Sequence, residues 1–353
     1  MNNQNRHLQL WLDGRLEQAH AFEPVRVVVT ADATCNLACE HCYWPHNLSQ
    51  DGEVDWGPAI DRLNQFLSIA NGGDASLLVL YAGRILSKRG VRFLETLRQG
   101  IDINVPGAEG QGSTQGVNLS IIDNGYTVFA AMDFLYLYQD VNISIDGWRE
   151  QHVRQRNKSG SFDVAWEAIL KLKAMGYDPI VASALSPLNE SEWYKFEELL
   201  SGNDVRVSTT FVWDLPATAT RGTATIGTAQ ALEKIYKTLV DGVPKLINLY
   251  SLEHVKVLMP ILKELEWTAD LDSGDGLVAD CNGSTILYRP TAPAFFREIE
   301  LLWDGSLMTL EPCGRDPIDS VPDRRFKEMF SLAQKEREAW KDVSIKVKTA
   351  PQT

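Results

Sequence analysis

Apolar residues recur along this chain in two alternating patterns. Short runs of β-branched and aliphatic residues fall at 25–30, 77–81, 117–122, 141–145, 180–184 and 205–213. Each has the length and composition of a strand buried on both faces. Between them lie longer segments with apolar residues at helical spacing, at 56–70, 90–98, 127–137, 162–175 and 190–200. In the first of these Ile60, Leu63, Phe66 and Leu67 share a face, and Asn71-Gly72-Gly73 ends the pattern. Strands alternating with amphipathic helices predict an α/β fold built from βαβ units. Right-handed crossovers then allow a barrel or a doubly wound sheet, and periodicity leaves both open.

The flanks read differently. Leu8-Gln9-Leu10-Trp11-Leu12 alternates apolar and polar before Asp13-Gly14, which predicts a short strand and turn. Residues 216–227 are rich in Thr, Ala and Gly and read as a linker or loop. Helical segments follow at 229–240 and 252–265, with Pro244 between them. Residues 286–288 and 298–305 suggest a hairpin, and 324–341 a charged helix that is either a solvated face or a packing cap.

Composition narrows the function. The 353 residues carry 44% hydrophobic content, enough for a large core and one or two domains. A net charge of −13 argues against nucleic acid as a partner, because phosphate binding needs a basic surface. Residues 1–15 are polar and do not read as a signal peptide. The longest apolar stretch, 126–138, contains Asp133 and is shorter than the about 20 residues a membrane span requires. Five cysteines, an odd number, suggest no disulfide framework. The expectation is a cytoplasmic protein with neither a membrane nor a nucleic acid partner.

Three of the cysteines, Cys35, Cys39 and Cys42, lie within eight residues directly after the first strand. Active sites of parallel α/β barrels form at the C-terminal ends of strands. Thiolates this close can converge on one soft metal centre. A zinc site is one reading, with His41 or His46 as the fourth ligand. An iron–sulfur cluster is the other: a [4Fe–4S] centre usually takes four thiolates, so three leave one iron open. A disulfide fits poorly between neighbours so close.

The spacing Cys35-x3-Cys39-x2-Cys42 resembles the signature of the radical S-adenosylmethionine (radical SAM) superfamily, with His41 in the place of an aromatic residue. The resemblance implies one [4Fe–4S] cluster on Cys35, Cys39 and Cys42. It also implies SAM chelated at the open iron and cleaved to a 5′-deoxyadenosyl radical that abstracts hydrogen from a substrate. The segment Ser144-Ile145-Asp146-Gly147, then His152, Arg156 and Gly160-Ser161-Phe162, is similar to a pattern in the peptide-modifying, SPASM/Twitch-like branch. Asp123-Asn124-Gly125 resembles that branch's Thr-Asn-Gly strand end. On its own, Ser144 to Gly147 also reads as a strand running into a turn.

The resemblance implies a partial (β/α)6 TIM-like barrel over 25–225. A cover at 1–24 precedes it, and a small α+β SPASM/Twitch-like extension follows at 226–353. It implies cofactor contacts from His41, Gly83, Asn124, Ser144 at the SAM ribose and Arg156 at the SAM carboxylate. Three departures stand out. The branch's Gly-Gly-Glu appears as Ala82-Gly83-Arg84, the aspartate after His152 is Val153, and the insertion at 105–116 has no counterpart. Asn124 also reads as a turn residue, and Arg156 as one of a basic surface run with Arg149, Arg154 and Lys158. Trp11, Trp44 and Trp213 either line a substrate pocket or pack in the core.

Outside the triplet only Cys281 and Cys313 remain, too few thiolates for an auxiliary cluster. They are candidate hydrogen donors to a substrate radical, and otherwise small buried hydrophobes. Without a second cluster to accept an electron, redox-neutral chemistry such as epimerisation of a ribosomal peptide is favoured. The implied electron donor is of flavodoxin or ferredoxin type. The competing readings are a sugar or aminocyclitol substrate in natural-product biosynthesis, and a non-catalytic metal-binding protein.

Overall fold

A computed structural model of the chain describes residues 3–16, 25–29, 35–39, 54–70, 77–81, 88–103, 117–185, 189, 192–211, 245–249, 255–256, 268–270, 277–281, 284–288, 298–309 and 317–348. The β-branched runs form strands β1 (Val25–Val29), β2 (Leu77–Tyr81), β3 (Val117–Asp123), β4 (Tyr138–Ser144), β5 (Ile180–Leu185) and β6 (Arg206–Phe211). They pair in sequence order, all parallel. β7 (Lys245–Leu249) continues the parallel series beyond β6. β8 (Thr268–Asp270), β9 (Leu277–Cys281) and β10 (Ser284–Tyr288) follow, then β11 (Glu298–Leu301) and β12 (Leu307–Thr309). The full order is β12-β11-β1-β2-β3-β4-β5-β6-β7-β10-β9-β8. Strands from 245–309 therefore lie in the same sheet as β1–β6. Six consecutive strands follow one another with no reversal of order, unlike a doubly wound sheet, which reverses at a switch point.

Helices supply one covering layer. They are α1 (Asn3–Leu16), α2 (Gly57–Ala70), α3 (Lys88–Gly100), α4 (Arg149–Arg156), α5 (Ser161–Ala174), α6 (Trp193–Gly202) and α7 (Asp323–Lys348). Helix α2 opens where Asp55 Oδ1 accepts from the Gly57 amide at 2.9 Å. It buries Ala59, Ile60, Leu63, Phe66 and Leu67 on one face. Trp56 meets Phe93 of α3 edge to face with centroids 4.8 Å apart.

Alternate strand positions supply apolar side chains to the core. Val27, Val29, Val117, Leu119, Ile121, Val141, Ile143, Val181, Val207, Ile299 and Leu301 belong to the core. On the opposite face of β4, β5 and β6 stand Asn142, Ser144, Ala182, Ala184 and Ser208, all half-buried. That second face is lined by small and polar residues where the first is apolar. Among the described residues no helix is long and apolar enough to cross a membrane.

Three expectations are corrected, and of the two readings for Trp11 the core holds. Leu8 to Leu12 is not a strand but the centre of α1, because Leu8, Trp11 and Leu12 meet the core at i, i+3 and i+4. Trp11 accordingly lines no pocket: it is fully buried, its ring 6.2 Å from that of Phe66. Residues 286–288 and 298–303 do not pair with each other. β10 pairs antiparallel with β9, and β11 with β12, at opposite edges of the sheet. The helix expected at 127–137 is a 3-10 helix, Val128–Leu137, which passes straight into β4. Its rise of about 2.0 Å per residue covers more distance than an α-helix would.

Of the two readings for the charged C-terminal helix, packing holds. α7 buries Phe326, Met329 and Trp340, and its Asp323 is ion-paired with Arg6 of α1. The segments 216–227, 229–240 and 105–116, most of 252–265, and Trp44 and Trp213 lie outside the described residues.

Candidate metal and cofactor site

β1 ends at Val29, and Cys35 to Cys39 follow at the end of the sheet where the parallel strands finish. Both cysteines are half-buried. Three segments from later strand ends converge on this loop.

The first is the turn after β3. Asp123 is buried, and its Oδ1 accepts from the amides of Gly125 at 2.7 Å and Thr127 at 3.4 Å. Its Oδ2 accepts from Thr127 Oγ1 at 2.5 Å. Burial pushes the Asp123 carboxyl above its ordinary pKa, and these hydrogen bonds offset only part of the rise. Gly125 adopts φ +89°, and a Cβ there would stand 2.6 Å from the Ala165 Cα, so the turn requires glycine. The turn presents Asn124, whose Nδ2 donates to Asn36 Oδ1 at 2.8 Å and approaches Cys35 Sγ at 3.9 Å.

The second segment follows β4. Asp146 has no solvent exposure, and all four of its polar atoms are engaged. Its amide donates to His152 Nδ1 at 3.0 Å, so His152 accepts through that nitrogen. Its carbonyl accepts from Asn189 Nδ2 at 2.6 Å. Oδ1 accepts from the Ala184 amide at the end of β5 at 3.0 Å, and Oδ2 forms an ion pair with Arg156 Nε. Gly147 adopts φ +114° with Asn189 packed against it. Asn189 and Gln155 both donate to the Ala184 carbonyl, at 2.7 and 2.9 Å.

The third segment is α4 and the residues after it. The helix carries His152 and Arg156 four residues apart on one face, both turned toward Asp146. It ends at Asn157 in the left-handed conformation, φ 51°. Arg156 Nη1 donates to Cys39 Sγ at 3.7 Å. Lys158 Nζ donates to the Asn36 carbonyl at 3.1 Å and lies 5.0 Å from the centre of the Tyr126 ring. Burial alone would lower the pKa of the guanidinium. The charges of Asp146 and Cys39 outweigh that and hold it above its ordinary value. Arg156 and Lys158 thus bring two cations to the cysteine loop.

The predicted site residues separate accordingly. Cys35, Cys39, Asn124 and Arg156 come together. Ser144 lies at the end of β4, half-buried, on the polar face of the sheet. Cys281 ends β9 opposite Ser284, which begins β10, so it sits at the end of the sheet where the parallel strands start. His41, Cys42, Gly83 and Cys313 lie outside the described residues. The basic run divides: Arg149 is half-exposed and paired with Asp163, whereas the Arg156 side chain is 11% exposed. Sequence reasoning missed Asn36, Lys158, Gln155 and Asn189. Only Lys158 had a signal, its place two residues after Arg156.

Neither a family model nor a curated protein sequence matches the chain. Solved structures do match in fold. Streptococcus suis SuiB bound to S-adenosylmethionine aligns with a TM-score of 0.55 at 12% identity, over 85% of this chain and 64% of that one. SuiB bound to its precursor peptide SuiA gives 0.55 at 11%, over 87% and 64%. The native anSMEcpe structure with bound AdoMet and Cp18Cys peptide gives 0.53 at 16%, over 88% and 84%. The chain spans 64% of the length of the SuiB chain. These proteins are radical SAM enzymes, SPASM-type peptide maturases among them. The mixed α/β fold of this chain, with its parallel sheet, is similar to the fold of these structures.

Proposed function

We propose that this chain is a radical SAM enzyme that modifies a ribosomal peptide. The observation that carries the reading is the convergence of Asn124 and Arg156 on the sulfurs of Cys35 and Cys39. Donors aimed at two adjacent thiols suit a site built to hold sulfur in its anionic form. Among the described residues no group of three metal ligands forms, and the motif's third cysteine is not one of them.

Cys35, Cys39 and Cys42 would hold one [4Fe–4S] cluster with an iron open to SAM. When bound and reduced, the cluster would supply the electron that splits SAM and yields a hydrogen-abstracting 5′-deoxyadenosyl radical. The protein's own part is placement. Ser144 faces the polar side of the sheet and would take the ribose. The Asn124 turn and the Gly83 backbone would border the adenosyl group, with His41 inside the cysteine loop. Arg156 would meet the carboxylate of SAM with its cationic face. β1–β6 and their helices would form the partial (β/α)6 barrel of residues 25–225. The cover at 1–24 and the SPASM/Twitch-like extension at 226–353 would flank it.

A peptide substrate is supported by the peptides bound in the SuiB and anSMEcpe structures. The hydrogen abstracted from it must be replaced if the product is an epimer. Cys313 is the better candidate donor, since Cys281 lies at the far end of the sheet. The thiol gives its hydrogen atom to the carbon radical and becomes a thiyl, which an external reductant must restore. A flavodoxin- or ferredoxin-type protein would supply electrons. Anaerobic reconstitution tests the site. A brown protein with about four iron and four sulfide per chain is expected; a colourless protein holding zinc contradicts it.

A further inference from the structure

We propose that Asp146 is a positioning residue that acts on the cysteine loop through Arg156, and that this pair sets the reduction potential of the cluster held there. The inference rests on the reading of the site given above.

Asp146 is firmly held. It is fully buried and held by four partners on three segments: Ala184 at the β5 end, the side chain of Asn189, and His152 and Arg156 of α4. Its carboxylate is hydrogen-bonded through Oδ1 and ion-paired through Oδ2, so it is held at both oxygens. The guanidinium anchored to it through Nε therefore has a fixed direction, and its Nη1 points at Cys39 Sγ, 3.7 Å away. An arginine lacking that anchor would lose rotamer freedom on facing a thiolate, with nothing to offset the loss. The planar guanidinium allows one face to be held while another nitrogen donates elsewhere.

The consequence concerns charge. Reduction adds an electron to the cluster and its ligands, and hydrogen bonds to ligating sulfurs stabilise the added charge. A cationic donor on Cys39 raises the potential. Asn124 acts in the same sense on Cys35, more weakly, because its Nδ2 lies 3.9 Å from that sulfur and bonds more closely to Asn36. The buried Ser-Ile-Asp-Gly aspartate thus serves the first cysteine loop from 107 residues further along the chain (from Cys39 to Asp146).

The test is a redox titration of anaerobically reconstituted protein without SAM, followed by electron paramagnetic resonance. Asp146→Asn keeps the acceptor for the Ala184 amide but turns an amide donor toward Arg156 Nε. The expected result is a more negative potential and altered g-values. Arg156→Lys keeps the cation near Asp146 but has no second nitrogen to donate, and should shift the potential the same way by less. Asn189→Ala removes the bond to the Asp146 carbonyl and one to the Ala184 carbonyl but leaves the carboxylate paired with Arg156; it should melt earlier and shift the potential by less than Asp146→Asn. An Asp146→Asn protein with a wild-type potential overturns the inference, as does an Asn189→Ala protein shifted equally. Iron and sulfide assays on the same samples separate the two readings. A wild-type protein without a cluster overturns the site itself, whereas a cluster of unshifted potential overturns only the role of Asp146.

Discussion

Arg156 donates to the sulfur of Cys39 at 3.7 Å, from 117 positions further along the chain. No local preference creates that contact. It exists because parallel strands β1 and β4 end on the same side of one sheet, so that the loops after them meet.

The Asp146–Arg156 pair should dominate the stability of this end of the sheet. Asp146 is unexposed and Arg156 nearly so. Asp146→Ala leaves a buried guanidinium with its main counter-charge gone and the Ala184 amide without that acceptor. The expected cost is about 3–5 kcal/mol, measurable by denaturant unfolding of the protein before and after cluster loading.

Gly125 should tolerate no side chain. Its φ of +89° disfavours an L-residue, and the added Cβ would meet backbone at 2.6 Å. Gly125→Ala should cost about 2–4 kcal/mol and displace Asn124. A melting curve close to wild type would show that the turn can relax away from Ala165.

Much of this was legible in the sequence. The β-branched runs became strands within a residue or two, except β4, which begins three residues earlier at Tyr138. The cysteine spacing, the Ser144 to Gly147 segment and Arg156 lie on segments that the structure brings together at one end of the sheet. The α1 helix was misread because five residues, Leu8 to Leu12, satisfy both a period of two and the i, i+3, i+4 spacing. Asn189 was illegible, since its role depends on a loop folding back against Gly147, which no periodicity encodes. Asp146 looked like half of an Asp-Gly turn; its four partners come from segments that only the sheet brings together.

Asp123 should make stability depend on pH in the sense opposite to an ion-paired carboxylate. Its pKa in the folded protein is raised, chiefly by burial. The folded state therefore holds its proton longer than the unfolded state does. Stability from this group is present below the unfolded value of about 3.9 and is lost as pH rises toward the folded value. Asp123→Asn, which cannot ionise, should gain in melting temperature relative to wild type as pH rises above about 4. Parallel pH profiles for the two proteins would contradict this.

Ser144 should matter to SAM but not to the cluster. Its side chain lies on the polar face of β4, away from the core occupied by Ile143 and Ile145. Ser144→Ala should weaken SAM binding about five-fold, the equivalent of one hydrogen bond of about 1 kcal/mol, with iron content unchanged. Calorimetric titration of the reconstituted proteins measures it, and equal affinities would remove Ser144 from the cofactor site.

The most direct measurement is the fate of SAM itself. Reconstituted protein is incubated anaerobically with dithionite and SAM, and the products are separated by chromatography. The account predicts 5′-deoxyadenosine from the wild type and none from Cys39→Ala, which loses the thiolate that Arg156 addresses. A wild-type protein that carries its full cluster yet forms no 5′-deoxyadenosine would contradict the account.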